Sequence, residues 1–296
     1  MMDELMNFGL RYCNTGPYVD PKIAIELVQA GEEAGFDSAW TVEHTVVPAG
    51  YASPYPYSDS GKMAGGVDDF ALPDPLIWMA YVASATTKIK LATGIVILPQ
   101  HNPVIVAKQV ASLDHLCSGR VIFGIGVGWL KEEFAALGVP FAGRGRRAEE
   151  YVHAIRALWE QDKPSYHGEF VNFEDAYCRP QPFGKSVPII VGGHSLAAAE
   201  RAGRLADGYF PAREAPAEMI DAARRSAEQH GRDPNSLEIT VSMPDDPKLL
   251  DDYLKLGVDR VLVPVTGVTG LDSGITGPQD VLKWKSIVED YRGKTL

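Results

Sequence analysis

Short apolar runs rich in β-branched residues alternate along this chain with longer segments of helical period, and that alternation predicts the elements. Residues 6–11 read as a first strand. Residues 21–34 follow as a helix, with Asp20 as N-cap, Pro21 in the first position and Gly35 as the stop. A second strand (37–42) precedes a helix (73–86), and a third strand (89–98) precedes a helix (103–116) closed by Ser118-Gly119. The fourth unit is 120–126 with a long helix, 146–161. The fifth is 188–191 with 195–205, and the sixth is 207–211 with 217–230. Residues 237–242 with 247–255 and 260–265 with 279–291 supply the last two.

About eight strand–helix units in succession, with no run of strands alone, predict a parallel (β/α)8 TIM barrel. A doubly wound open sheet is the competing arrangement. The number of units, the length of 296 residues and the lack of a dinucleotide fingerprint after the first strand favour the barrel. One domain over 1–296 is expected, with two insertions. Residues 45–72 are rich in Gly, Pro, Ser and Tyr, lack periodicity and follow the second strand, so they are expected to form a lid over a substrate mouth. Residues 165–182 alternate apolar and polar positions around Gly168, which suits a structural hairpin outside the barrel.

The third strand breaks its own pattern. Lys90 to Pro99 is a buried-strand sequence, yet Thr93-Gly94 lies in its middle. A glycine there is either a packing residue or a backbone shelf beneath a ligand.

Composition narrows the chemistry. Hydrophobic content of 45% and charged content of 23% suit a soluble globular protein. A net charge of -11 disfavours nucleic acid and a basic membrane-binding face. Cys13, Cys117 and Cys178 form no close pair, and no spacing resembles a metal site. The start of the chain, with Asp3 and Glu4 before a short apolar strand, does not read as a signal peptide, and a cytoplasmic protein is expected.

Barrel chemistry collects at the C-terminal strand ends. Glu43-His44 follow strand two, and His44 can move protons or bind a substrate. Thr93-Gly94-Ile95 lie in strand three, with Gln100 and His101 just beyond. Gly124, Gly126, Gly128 and Trp129 follow strand four; the glycines read as thinning the wall beside a flat ligand. Gly192-Gly193-His194-Ser195 end strand five where a helix begins, so free amides there could seat a phosphate. An ordinary N-cap serine after a tight turn reads equally well. Glu132 and Glu133 are the other rim carboxylates, without the pattern of a hydrolase.

With these motifs in order, the chain resembles the luciferase-like monooxygenase superfamily, and within it the coenzyme F420-dependent oxidoreductases. The carriers are Phe8-Gly9-Leu10, Ala34 to Ser38, Glu43-His44, Thr93-Gly94-Ile95, Ser118-Gly119-Arg120 and Gly126 to Trp129 with Glu132-Glu133. Arg144 to Glu150, Leu158-Trp159, Pro180 and Pro182, Gly192-Gly193 with Ser195, and Ala206-Asp207-Gly208 complete the set. The resemblance implies a bacterial-luciferase-like barrel holding a deazaflavin or flavin in its mouth. It implies a non-proline cis peptide at Gly94-Ile95, whose bulge backs the ring. Thr93, Gly94, Ile95, Gly128, Gly192, Gly193, His194 and Ser195 would bind coenzyme F420, the glycines and Ser195 taking its phosphate.

The reaction implied is hydride transfer, with His44 as proton donor or substrate ligand and Glu43 orienting His44 or the coenzyme. Where the sugar-phosphate dehydrogenase branch carries a glutamate, this chain has Trp129. With Tyr51 and Tyr55 of the lid, Trp129 points to a fairly apolar substrate. The alternatives are an oxygen-dependent monooxygenase using reduced FMN and a non-catalytic flavin-binding protein. Kinship also implies a homodimer through the helices after strands two and three, using Leu76, Ile77, Met79, Ala80, Val104, Val106, Ala107, Val110 and Ala111.

Overall fold

A computed structural model of the chain describes residues 6–58, 60–63, 66–211, 215–266 and 273–292. The elements run β1 (Asn7–Arg11), α1 (Pro21–Ala34), β2 (Ser38–Thr41), α2 (Pro75–Ala83), β3 (Lys90–Thr93), β4 (Val96–Ile97), α3 (Pro103–Leu116) and β5 (Val121–Gly126). Then come α4 (Lys131–Ala136), α5 (Arg144–Glu160), the hairpin β6 (Tyr166–His167) and β7 (Asn172–Phe173), β8 (Ile189–Gly192), α6 (Leu196–Leu205), β9 (Gly208–Phe210) and α7 (Ala217–Gln229). The chain finishes with β10 (Glu238–Ser242), α8 (Leu250–Lys255), β11 (Arg260–Pro264), α9 (Pro278–Val281) and α10 (Lys285–Arg292).

Parallel pairing runs from β1 through β2, β3, β5, β8, β9, β10 and β11 and returns to β1. This is the closed (β/α)8 barrel that the alternation predicts. The local rules hold at its helices. Asp20 accepts from the amides of Lys22 and Ile23 at 2.9 and 3.1 Å, and Gly35 ends α1 at φ 88°. Asn102 caps α3 in the same way.

The third strand departs from the expected single run. It is interrupted after Thr93 by a cis peptide at Gly94-Ile95, resumes as β4, and turns into a 3-10 segment, Leu98–Gln100. The short helix α4 was not anticipated, and the segment expected as one last helix divides into α9, a 3-10 turn and α10.

Within the barrel, Trp40, Ala92, Ile122, Ile190, Phe210 and Leu262 form one buried layer. Trp40 needs the room that glycines leave. A Cβ on Gly9 would stand 2.9 Å from its indole nitrogen, and one on Gly94 would stand 3.0 Å from its Cε3. The indole donates to Ser38 Oγ at 2.8 Å. Below this layer, buried Arg260 bridges Asp37 at 2.9 Å and Glu238. Its neutralisation by two carboxylates makes burial of that cation tolerable.

The hairpin insertion is a β6–β7 pair held to α5: the carboxylate of Glu150 accepts the amides of Glu169, Phe170 and Val171. The faces expected to pair two copies divide. Met79, Val106, Ala107, Val110 and Ala111 are buried within the chain, whereas Ile77 is 71% and Ile105 58% exposed.

Candidate active site

Two extended residues after β2 point apart, as neighbours on such a segment must. They acquire different partners. Glu43, 7% exposed, accepts from the Ile97 amide through Oε2 and contacts His101 Nε2 at 2.9 Å through Oε1. It therefore fastens β4 and the segment after it, and it does not orient His44. That expectation is corrected by the alternation of the backbone. His44 instead meets Glu133, which stands on α4: Nδ1 lies 3.0 Å from Glu133 Oε2. The other oxygen of Glu133 accepts the amides of Thr45 and Val46 at 2.7 and 3.3 Å.

His101 is the second histidine of this rim. Burial pulls its pKa down, but the hydrogen bond His101 donates to Glu43 and that carboxylate's charge more than reverse the effect, so the ring titrates above its ordinary value.

The break in strand three builds the shelf. The Gly94 amide donates to Thr41 O at 2.7 Å, which ties the shelf to the end of β2. The Thr93 hydroxyl donates to Gly124 O at 2.7 Å, which ties it to β5. Ile95 lies over the interior layer, only partly buried. Its side chain fills the room left by two glycines. A Cβ on Gly126 would stand 2.5 Å from its Cδ1, and one on Gly192 2.5 Å from its Cγ2. Gly124 faces the Thr93 carbonyl oxygen at 1.8 Å from where its Cβ would be. The glycines of β5 thus admit the broken strand. Gly128 sits at φ 76° with its carbonyl accepting from Arg144 Nε.

At the end of β8, Gly193 adopts φ 143°. Ser195 is the N-cap of α6, its Oγ accepting from the Ala198 amide at 3.2 Å. The amides of His194, Ser195, Leu196 and Ala197 have no acceptor among the described residues. The His194 ring points away from them, its Nδ1 2.7 Å from the Pro211 carbonyl. Ser195 is thus the helix cap that one reading of this motif expects, and the turn before it leaves donors unused. The Tyr209 hydroxyl donates to Gly193 O and fixes the turn.

The segment 45–72, expected as a lid, carries no helix or strand among the described residues. Tyr51, Met63 and Leu130 are its buried centre, with Val47, Tyr55 and Trp129 packed against them. Trp129 meets Tyr51, Tyr55 and His44 edge-on, with ring centroids 5.4, 5.1 and 6.0 Å away. One carboxylate fastens this segment: Glu132 Oε1 accepts the amides of Ala52 and Ser53 at 2.9 and 3.1 Å. The Ser53 hydroxyl and these amides hold Glu132 down to about 2.

The expected residues lie at the C-terminal ends of β2, β3, β5 and β8, with Glu43 turned to His101 and not to His44. The role of Glu133 escaped the sequence because α4 is short and lacks a capping residue. Two other clefts open at the N-terminal end of the strands. They are lined by Lys90, Asp207 and Glu238, and by Glu32, Lys88 and Arg292, among others. Neither holds a histidine. Among the described residues no helix is long and apolar enough to cross a membrane.

Comparison with known proteins bears on family and fold. A profile of the luciferase-like monooxygenase family matches residues 9–244. The F420-dependent glucose-6-phosphate dehydrogenase of Kineococcus radiotolerans is 32% identical over 242 residues, 76% of this chain and 65% of that protein. The FMNH(2)-dependent dimethylsulfone monooxygenase of Pseudomonas putida is 39% identical over 131 residues, 43% of this chain and 36% of that protein. Among solved structures, the coenzyme F420-dependent tetrahydromethanopterin reductase of Methanopyrus kandleri superposes with a TM-score of 0.76 at 16% identity, covering 97% of this chain and 99% of that one.

Proposed function

The chain belongs to the luciferase-like monooxygenase family, a family of oxidoreductases, and on that premise we propose that it transfers a hydride between coenzyme F420 and a small, fairly apolar organic substrate. One observation carries the reading. A free-amide turn, an apolar shelf and a histidine held by a buried carboxylate stand together on the C-terminal rim. The longer match to an F420-dependent relative, compared with the FMNH(2)-dependent one, supports the choice of coenzyme.

Coenzyme F420, when bound, supplies or accepts the hydride. Gly193 and the amides of His194 to Ala197 would hold its phosphate. Thr93, Gly94 and Ile95 would back its ring, with Gly128 and Gly192 allowing that shelf to form. His44 would hold or move the proton at the substrate through Nε2, since Nδ1 is taken by Glu133. Glu43 would serve the reaction by fixing β4 and His101. Trp129, Tyr51 and Tyr55 would exclude water and present an apolar wall to the substrate. Pairing of two copies would cover Ile77 and Ile105.

A binding titration tests this. Coenzyme F420 and FMN, each oxidised and reduced, are added separately while absorbance and fluorescence are followed. Tight binding of F420 with FMN much weaker is expected. Preference for reduced FMN would assign the chain to oxygen-dependent monooxygenation, and binding of neither would overturn the coenzyme assignment.

A further inference from the structure

Glu133 is wholly buried, and each of its oxygens has a different duty. Oε1 accepts two backbone amides, those of Thr45 and Val46. Oε2 faces Nδ1 of His44. An ionised carboxylate can only accept hydrogen bonds, so His44 must present Nδ1–H to it. In the neutral ring the proton is then on Nδ1, and Nε2 carries a lone pair. Nε2 has no partner among the described residues. Trp129, edge-on to the imidazole, confines the ring.

We propose that Glu133 is the positioning residue of this site: it fixes the tautomer of His44 so that Nε2 faces the substrate as a proton acceptor in the neutral state and as the donor once protonated. The proposal rests on the reading that His44 handles the substrate's proton. For an alcohol substrate the hydride would pass to coenzyme F420 and the hydroxyl proton to Nε2; in the reverse direction Nε2–H would return the proton to the carbonyl oxygen as the coenzyme returned the hydride. Glu133 acts only as an acceptor and touches no reacting atom. The same side chain anchors Thr45 and Val46, the first residues of the lid, so the lid root and the imidazole are set by one group.

Glu133→Gln makes a sharp test because its outcome follows from counting donors. The amide oxygen must stay on the Thr45 and Val46 side, since an NH2 there would face two N–H donors. The NH2 must then face Nδ1 of His44, which has to become an acceptor. The neutral ring shifts its proton to Nε2. The measurement is the 15N spectrum of histidine-labelled protein without coenzyme, recorded above the pH at which His44 is seen to titrate.

Wild type is expected to show a protonated Nδ1 and a bare Nε2, and Glu133→Gln the reverse. Hydride transfer in the variant is expected to fall by about 10²- to 10⁴-fold, the ordinary worth of a correctly placed acid–base group, while F420 binding is kept. A wild-type ring protonated on Nε2 overturns the proposal even if the variant fails to fold. So does a variant that keeps Nδ1–H. If neither F420 nor FMN binds, the proposed reaction fails, yet the tautomer result still decides the role of Glu133.

Discussion

His101 Nε2 lies 2.9 Å from Oε1 of Glu43, and the other oxygen of Glu43 takes the amide of Ile97. The segment after the broken strand is thereby tied to the end of β2 by one carboxylate. Burial lowers the pKa of His101, and Glu43 outweighs it, with Asp74 and Glu133 adding to the same sign. A histidine raised in the fold stabilises fully below the ordinary 6.5 and loses that contribution as pH rises through its folded value. An NMR titration should place His101 above 6.5, and Glu43→Gln should lower it, because burial remains when that charge goes. An unchanged midpoint in the variant would show that Glu43 is not the cause.

The lid clamp has the opposite sign. Glu132 is held down to about 2 by the Ser53 hydroxyl and the amides of residues 52 and 53. Its contribution is complete above the ordinary 4.5 and fades as pH falls toward the folded value. Limited proteolysis between residues 45 and 63 should therefore accelerate as pH drops through this window. Glu132→Ala should show the fast pattern already at neutral pH. A cleavage rate flat with pH would remove Glu132 as the clamp.

Alanine at two glycines of β5 should separate fold from shelf. At Gly124 the new Cβ would stand 1.8 Å from a backbone oxygen, which cannot turn aside. Gly124→Ala should cost more than the about 1–3 kcal/mol of ordinary overpacking and yield little folded protein. At Gly126 the obstacle is the tip of Ile95, 2.5 Å away, which can rotate. Gly126→Ala should fold, melt somewhat lower, and bind F420 more weakly because the displaced Ile95 belongs to the proposed shelf. Calorimetry and the coenzyme titration read the two effects independently.

Trp129 touches the lid through Tyr51 and Tyr55 and touches His44 from the other side. Trp129→Ala should lower affinity for apolar substrates and loosen the lid, since each edge-to-face pair is worth about 0.5–1.5 kcal/mol beyond its burial. Coenzyme affinity should change little. A variant that loses coenzyme and substrate equally would place Trp129 against the ring instead.

The legible parts of this molecule were those written in local patterns. The helix from Pro103 to Leu116 was read residue for residue, because Asn102 and Pro103 open it and its apolar period is sustained. The barrel followed from the alternation of such units. The break in strand three has no signature in hydrophobicity, as Val96 and Ile97 are as apolar as Leu91; the mid-strand Gly94 marks the place, and only kinship points to a cis peptide there. Glu43 and His44 misled through adjacency, since sequence neighbours on an extended segment face opposite sides. Their true partners, His101 and Glu133, lie 58 and 89 residues away. No local rule reaches across such distances.

The layer of Trp40, Phe210, Ile122 and their neighbours is buried throughout, so nothing can pass down the axis beneath the shelf. On the proposed reaction coenzyme and substrate would therefore both enter and leave across the C-terminal rim, with no second route through the barrel.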